Sequence, residues 1–235
     1  MSKLIKWSLV AALAGFLFGF DTVVISGADQ KLQELWNSSD IFHGSVVMAM
    51  ALWGTVFGAI FGGIPTRKYG RRNTLIWIGI FYSISAVGSA LANDPITFAV
   101  FRFIGGLGVG VSGIAAPAYI SEIAPAKNRG KLVGFYQFNL VTGILVAFLS
   151  NYLLSGIGEN DWRYMMGVEA IPAIFYTLLV FSIPKSPRWL YLNNQKDKAE
   201  KIIRDAYSKN DADELIIEIT RDKESSIESE SIFQK

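Results

Sequence analysis

The amino-acid sequence predicts an all-α membrane protein, in which six transmembrane helices are followed by a polar helical tail. Three observations support this fold class. Hydrophobic residues make up 51% of the 235 residues, six apolar stretches are each long enough to cross a bilayer, and lysine and arginine are concentrated in alternate loops.

The composition argues against several other classes of protein. A formal net charge of +2, with basic residues grouped in short loops, does not favour a nucleic-acid partner. The chain has no cysteine, and its one histidine, His43, is predicted to be an ordinary loop residue. The sequence lacks a Ser-His-Asp, metal-binding or phosphate-loop pattern, so we expect no cofactor, no metal site and no enzyme activity.

Six predicted spans follow one another along the chain. A helix rises about 1.5 Å per residue, so about 20 apolar residues cross a hydrocarbon core of roughly 30 Å. The spans cover residues 5–27, 45–64, 75–92, 96–120, 132–154 and 164–183. The first follows Lys3 and Lys6 but has no cleavage site before the next span, which predicts an uncleaved helix. Turn residues separate the later spans: Pro65 and Gly70, Asn93 and Pro95, Pro125 and Gly130, and 156–160.

Basic residues predict the orientation of the spans, since cytoplasmic loops retain lysine and arginine. The amino terminus, the second loop and the fourth loop hold nine of them, whereas the alternate loops hold only Lys31 and Arg163. The nine are Lys3, Lys6, Arg67, Lys68, Arg71, Arg72, Lys127, Arg129 and Lys131. We therefore expect a multi-pass protein of the plasma membrane, the bacterial inner membrane in particular, with both termini in the cytoplasm.

The composition changes after Pro184, which predicts two regions. Residues 1–184 form the transmembrane bundle, and residues 185–235 form cytoplasmic amphipathic helices and a linker. Apolar clusters at 189–192, 202–203 and 215–219 mark the helices. The last dozen residues are rich in glutamate and serine and are predicted to be a solvated linker.

Three ionisable residues lie inside the predicted spans: Asp21, Arg102 and Glu169. Such residues are costly in hydrocarbon and indicate function. Each lies six residues from the outer end of its span, so all three are expected about 9 Å below the outer surface, in one layer. This predicts a proton switch, because a carboxyl near Arg102 is ionised and a buried carboxyl without a cation is neutral. A static ion pair that fixes the helix order is the alternative interpretation.

The fifth span carries Gln137, Asn139 and Thr142 in its cytoplasmic half. Hydrogen-bonding side chains at membrane depth suit a hydroxyl-rich solute, but they also bridge helices. From the residues alone, both interpretations stay open.

Five segments carry a family resemblance. They read GFDTVVISG at 19–27, GRR at 70–72, RFIGG at 102–106, PAYISEIAP at 117–125 and PKSPRWL at 184–190. In order and spacing they resemble the sugar porter family of the major facilitator superfamily, and they cover nearly all of the first 190 residues. The resemblance implies that this chain is the amino-terminal half of a twelve-helix transporter, with a sugar site between two six-helix halves and alternating access.

The resemblance also implies roles for individual residues. Asp21 and Arg102 match the pair of the proton-coupled members, and Glu169 matches a further acidic position implicated in coupling, so proton symport is expected. Phe18 and Gln137 match sugar contacts. Ile144 stands where some relatives have a second glutamine, which removes a polar contact.

On the cytoplasmic side, relatives latch the inner gate with charge pairs that match Arg72, Glu122, Arg129 and Arg188. Two positions depart from the family pattern. Arg67 replaces a usual Asp or Asn, and Lys185 replaces a usual Glu. Both changes add a cation to a cationic layer, which predicts a weakened latch.

Three hypotheses follow from the sequence. The chain is a half of a monosaccharide–proton symporter that pairs in the lipid bilayer with a second six-helix half, either its own copy or a separate chain. Alternatively, it is an inactive truncated fragment of a longer protein, which the linker-like end favours. The third hypothesis is a non-transporting membrane sensor that binds sugar.

Overall fold

The computed structural model describes residues 3–124 and 128–233, with side chains described up to residue 221. Six helical segments are long and apolar enough to cross a membrane, which confirms the predicted fold class. They run over Lys3–Gly27, Asp40–Phe61, Arg71–Leu91, Pro95–Ile123, Arg129–Leu154 and Asp161–Phe181. Pro125 and Lys127, which the sequence analysis places in the fourth loop, lie outside the described residues.

Thirteen α-helices make up the described chain. They are α1 Lys3–Val24, α2 Asp29–Leu35, α3 Asp40–Phe42, α4 Met50–Phe61, α5 Gly63–Lys68, α6 Arg71–Leu91, α7 Pro95–Ile123, α8 Arg129–Leu154, α9 Asp161–Gly167, α10 Ala170–Phe181, α11 Pro187–Leu192, α12 Lys196–Ala206 and α13 Lys209–Phe233. A 3₁₀ turn, Ile25–Gly27, follows α1, and a π-helical turn, His43–Met48, joins α3 to α4. The second span is therefore irregular at the end where the sequence predicts its start.

Local chemistry sets the start of the longest helix, α7. The Asp94 carboxylate accepts hydrogen bonds from the backbone N–H groups of Ile96 and Thr97, at 3.0 and 2.9 Å, and Pro95 occupies the first helical position. Hydrogen bonds from the Thr97 side chain and backbone lower the pKa of the Asp94 carboxyl. The cap and the proline together fix the helix start four residues after the third span ends.

The first and fourth spans form the centre of the bundle. In each of these two spans, 61% of the 18 most apolar consecutive residues are buried, against 17% in the second span and 22% in the fifth. Helix α1 packs against α7 and α8, and α7 packs also against α4 and α6. Close approach depends on glycine: a Cβ on Gly106 would lie 2.0 Å from the Ala51 carbonyl oxygen. Gly106 and Gly110 of α7, four residues apart, and Gly54 and Gly58 of α4 meet in this way, so the four-residue spacing of glycine marks the contact between the two helices.

The tail folds back onto one end of the bundle, which we call the tail side; the opposite end is the far side. Helices α11, α12 and α13 bury a small core of their own, formed by Trp189, Leu190, Tyr191, Ala199, Ile203, Ala212 and Ile219. The Tyr207 hydroxyl donates to the Ile123 carbonyl at the end of α7, and burial raises the pKa of this phenol. Lys3 bonds Asp205 at 2.7 Å. The tail is therefore docked on the bundle at both α1 and α7.

Helix α13 continues to Phe233, through the segment in which the sequence analysis predicts a linker. Glutamate and lysine have high helix propensity, so a serine- and glutamate-rich stretch continues a helix as readily as it forms a coil.

Candidate functional site

The central feature of the interior is an ion pair between α1 and α7. The Arg102 Nη1 donates to Asp21 Oδ1 at 2.6 Å, and Arg102 Nη2 donates to the Asp21 backbone carbonyl at 2.9 Å. Both side chains are 1% exposed. Because so deeply buried a pair is poorly solvated, it is stable only if its geometry is good and further hydrogen bonds satisfy its polar atoms.

Glu169 lies at a break in the sixth span, between α9 and α10. Pro172 has no N–H to donate to the Val168 carbonyl, and instead the Ile171 N–H reaches that oxygen at 3.2 Å. The missing bond interrupts the helix where the carboxyl group projects into the protein. Glu169 is fully buried and interacts electrostatically with both Asp21 and Arg102. The structure therefore brings the three intramembrane charges into one cluster.

The polar atoms of this cluster are incompletely satisfied. Among the described residues, no N–H or O–H group donates to Asp21 Oδ2 or to either carboxyl oxygen of Glu169, and the two carboxyl groups interact with each other. The nearby Ser85 hydroxyl group also lacks a partner. Buried polar atoms are normally paired, so this concentration of unpaired acceptors and donors leaves room for a proton or for water.

A cavity of about 270 Å³ adjoins the ion pair. Asp21, Arg102, Thr22, Gly44, Met48 and Thr55 contribute to its lining. Gly44 and Met48 belong to the π-helical turn, which lies towards the far side of the bundle. The cavity is large enough for several water molecules, and Asp21 and Arg102 are the charged side chains that line it.

Gly105 allows α7 to approach Ser85 of α6 and Asp21 of α1 closely. A Cβ at this position would lie 2.4 Å from Ser85 Oγ and 3.2 Å from Asp21 Oδ1. By contrast, a Cβ on Gly108, one turn along the same helix, would make only ordinary contacts of 3.5 Å or more. Glycine at 105 is thus required by close approach, whereas glycine at 108 is not.

The predicted sugar contacts lie apart from this cluster. Gln137 is exposed, and Phe18 and Ile144 are half-buried. Gln137 and Ile144 lie seven residues apart on α8 and so share one helix face. Phe18 of α1 packs towards α7, where a Cβ on Gly113 would lie 4.0 Å from its ring. All three are on surfaces of the bundle and not in its core.

The predicted gate residues lie on the tail side, where Glu122 interacts electrostatically with Arg71 and with Arg188. Glu122 pairs with Arg71 at 2.7 Å, whereas Arg72 donates to the Phe181 carbonyl at 2.8 Å. Glu218 of α13 lies between the other two cations; its Oε1 is 4.0 Å from Arg129 and 3.9 Å from Arg188. The sequence analysis does not single out Arg71 or Glu218.

The two departures from the family pattern meet at Trp189. Its indole N–H donates to the Arg67 carbonyl at 2.8 Å, and the Lys185 ammonium lies 5.2 Å from the centre of its rings. Gly70, with a φ of +86°, packs against the same indole, because a Cβ there would lie 2.9 Å from it. The loop after the second span and the segment after the sixth are thereby joined.

Comparisons with a family model, with curated relatives and with solved structures all indicate the same family. The model of the family described as "Sugar (and other) transporter" matches residues 7–235. The D-xylose-proton symporter of Escherichia coli (strain K12) is 36% identical over 234 residues, with 86% of this chain and 48% of the relative covered. The glucose transport protein of Synechocystis is 40% identical over 205 residues, with 83% and 44% covered.

A solved structure of the E. coli xylose transporter, in a partially occluded inward open conformation, superposes with a TM-score of 0.89 at 34% identity. The match covers 96% of this chain and 60% of that one. The chain spans about half the length of the curated relatives it matches. Members of this family are transporters and not enzymes. The chain therefore belongs to the sugar porter family of the major facilitator superfamily.

Proposed function

We propose that this chain forms the amino-terminal six-helix half of a proton-coupled monosaccharide symporter. The buried Asp21–Arg102 pair, with Glu169 beside it, is the observation that carries the proposal. The name of the E. coli relative, a D-xylose-proton symporter, supports the same activity and the same coupling ion.

The chemistry of coupling requires a carboxyl group whose charge depends on its surroundings. While Arg102 bonds Asp21, the ionised carboxylate is favoured. If a rearrangement of α1 against α7 separates the two, the buried carboxylate loses its cation and binds a proton, which burial favours. Glu169 competes for the same guanidinium and offers a second acceptor. The coupling proton is then the only co-substrate, and no cofactor is required.

The sugar site needs groups from two halves. Phe18, Gln137 and Ile144 supply one wall, with an aromatic ring for the sugar face and one amide for its hydroxyl groups. A second six-helix half, either a second copy of this chain or a separate chain, supplies the other wall. An isoleucine at 144 suits a sugar that has few hydroxyl groups to satisfy on that side.

The tail side forms the inner gate. Glu122 and the arginines Arg72, Arg129 and Arg188 lie in the layer between the bundle and the tail helices, with Arg71 as the direct partner of Glu122. The basic loops support the orientation in which the tail side faces the cytoplasm of a bacterial inner membrane. Opening of the gate would then separate the tail helices from the ends of α7 and α8.

The test is uptake of labelled xylose and glucose into vesicles that contain the chain, alone or complemented with a second six-helix half, with and without an inward proton gradient. The variant Asp21→Asn is compared with Asp161→Asn, which removes another buried carboxylate that pairs with Lys31 on the far side. We expect gradient-driven uptake that Asp21→Asn abolishes and Asp161→Asn retains.

Three outcomes contradict the proposal in different ways. Uptake that is independent of the gradient and of Asp21 would indicate facilitated diffusion. Sugar binding without uptake, even when a second half is supplied, would favour a non-transporting sensor. Absence of both binding and uptake in the complemented system would indicate an inactive fragment.

A further inference from the structure

A second cavity lies on the tail side, far from the ion pair. It has a volume of about 360 Å³ and is lined by Pro184, Lys185, Leu190, Lys198, Lys201 and Ile202, together with Gln195. Three lysines thus share one cavity with an apolar floor. We propose that this cavity binds the phosphate headgroup of an anionic phospholipid, and we call it the lysine cavity.

The lysine cavity lies at the membrane boundary. The sixth span ends at Phe181, and Lys185 follows four residues later. The headgroup layer extends roughly 5–7 Å beyond the hydrocarbon, so a residue just past the end of a span lies within it. Lys198 and Lys201 of α12 line the same cavity as Lys185, so all three lysines lie at this boundary.

Helix periodicity gathers the charges on one face of α12. Lys198, Lys201 and Ile202 follow the spacing i, i+3 and i+4, which places them side by side. Ala199 and Ile203 are fully buried in the core of the tail, so α12 is anchored by another face. The lysine face is consequently fixed towards the end of the sixth span and does not rotate away.

These lysines are not neutralised within the part of the chain that the structure describes. The ion pairs of α12 there are Lys196 with Glu200, Arg204 with Asp213, and Asp205 with Lys3. Lys198 donates to the neutral Gln195 side chain at 3.2 Å, and Lys185 lies over the Trp189 indole. Three like charges around one cavity repel one another, and a bound phosphate removes that repulsion.

The apolar surroundings favour a lipid over a free anion. The floor of the cavity is formed by Pro184, Leu190 and Ile202, which suits a glycerol backbone and the first acyl carbons. Just before it along the chain, Leu178 and Phe181 are 63% and 56% exposed and offer an apolar surface for an acyl chain. Basic pockets beside membrane helices bind anionic headgroups in this way.

The test is a lipid titration of the intact purified chain in detergent, with bound lipid counted by native mass spectrometry. The ligands are phosphatidylglycerol, phosphatidylcholine and inorganic phosphate. The cavity variant carries Lys185→Gln, Lys198→Gln and Lys201→Gln. The control variant carries Lys6→Gln, Lys131→Gln and Lys209→Gln, which remove the same charge from exposed lysines outside the cavity.

We expect the cavity variant to weaken phosphatidylglycerol binding at least tenfold and the control variant to weaken it less than twofold. Replacement of the three cavity lysines by arginine should retain binding, and this variant keeps the proposal testable if the glutamine variant does not fold. Equal losses in the cavity and control variants, or no loss in either, would overturn the proposal. Displacement of the lipid by inorganic phosphate at equal concentration would reassign the cavity to a free anion.

Discussion

Two groups of charges in this protein differ in how they are surrounded. Asp21, Arg102 and Glu169 lie in the middle of the bundle, with Asp21 and Arg102 each 1% exposed. On the tail side, Arg129 and Glu218 are 38% and 44% exposed. The first group is removed from water and has few partners, whereas the second is solvated and includes several arginines.

This difference determines what each group can do. A buried pair interacts strongly, and loss of one member leaves an uncompensated charge in a medium that cannot solvate it. A half-exposed pair contributes only about 0–1 kcal/mol, because water and salt replace the partner. The buried group therefore suits a switch with two discrete states. The tail-side group suits a latch that opens at little cost.

The largest effect is expected for Arg102→Leu. This change leaves the Asp21 carboxyl buried without its cation, so we expect a loss of about 3–5 kcal/mol in the free energy of unfolding. The double variant Asp21→Asn with Arg102→Leu should recover part of that loss. Unfolding in detergent micelles, followed by circular dichroism, measures both. A double variant no more stable than the single one would show that Arg102 acts through packing and not through charge.

The next prediction concerns the close approach of α7 to Ser85 and Asp21. Gly105→Ala inserts a methyl group 2.4 Å from Ser85 Oγ, so either the Ser85 side chain or α7 itself must shift. We expect a loss of about 1–3 kcal/mol in stability, as overpacked cores show, together with reduced proton-driven uptake.

The control for this change lies in the same helix. Gly108→Ala has room for its methyl group and should leave stability unchanged or slightly higher, since alanine favours a helix by up to about 1 kcal/mol over glycine. Equal effects of the two substitutions would mean that the close approach of α7 to Ser85 and Asp21 is not critical.

The main features of the fold follow from the sequence because they rest on length and periodicity. Runs of about 20 apolar residues specify the spans, and equal distances from the span ends place Asp21 and Arg102 in one layer. The bond between them in the structure agrees with that geometry. Four-residue spacing of glycine likewise identifies the helix contacts.

Other features depend on tertiary geometry and could not be predicted in this way. Arg71 and Arg72 are adjacent and chemically equal, and the structure alone shows that Arg71 contacts Glu122. Glu218 lies nearly a hundred residues from Glu122 in sequence, so its place between Arg129 and Arg188 depends on how the tail folds back. The break at Glu169 did have a signal, which is the proline three residues later.

An intermediate effect is expected at Glu122, which connects the two environments. Its side chain is 9% exposed and bonds Arg71, which is 17% exposed. Glu122→Gln keeps the shape but weakens a charge-assisted hydrogen bond, so we expect a loss of about 1–3 kcal/mol in stability. Thermal unfolding of Glu122→Gln, Arg71→Gln and the double variant forms a double-mutant cycle. The cycle isolates the interaction energy of this pair. A coupling energy near zero would mean that the Glu122–Arg71 pair behaves like the exposed charge pairs.

The smallest effect is expected for Glu218→Gln, which removes the carboxylate between Arg129 and Arg188. Both distances are near 4 Å and all three side chains are at least one-third exposed, so the change in stability should stay below about 1 kcal/mol. Salt separates this case from Glu122, because a Debye length of about 3 Å at 1 M salt screens solvated charges. Raising the salt from 0.1 to 1 M should abolish the difference between Glu218→Gln and the unchanged protein, while that of Glu122→Gln persists. If the Glu218 effect survives high salt, the tail is held by a desolvated contact, and the latch then resembles the buried pair.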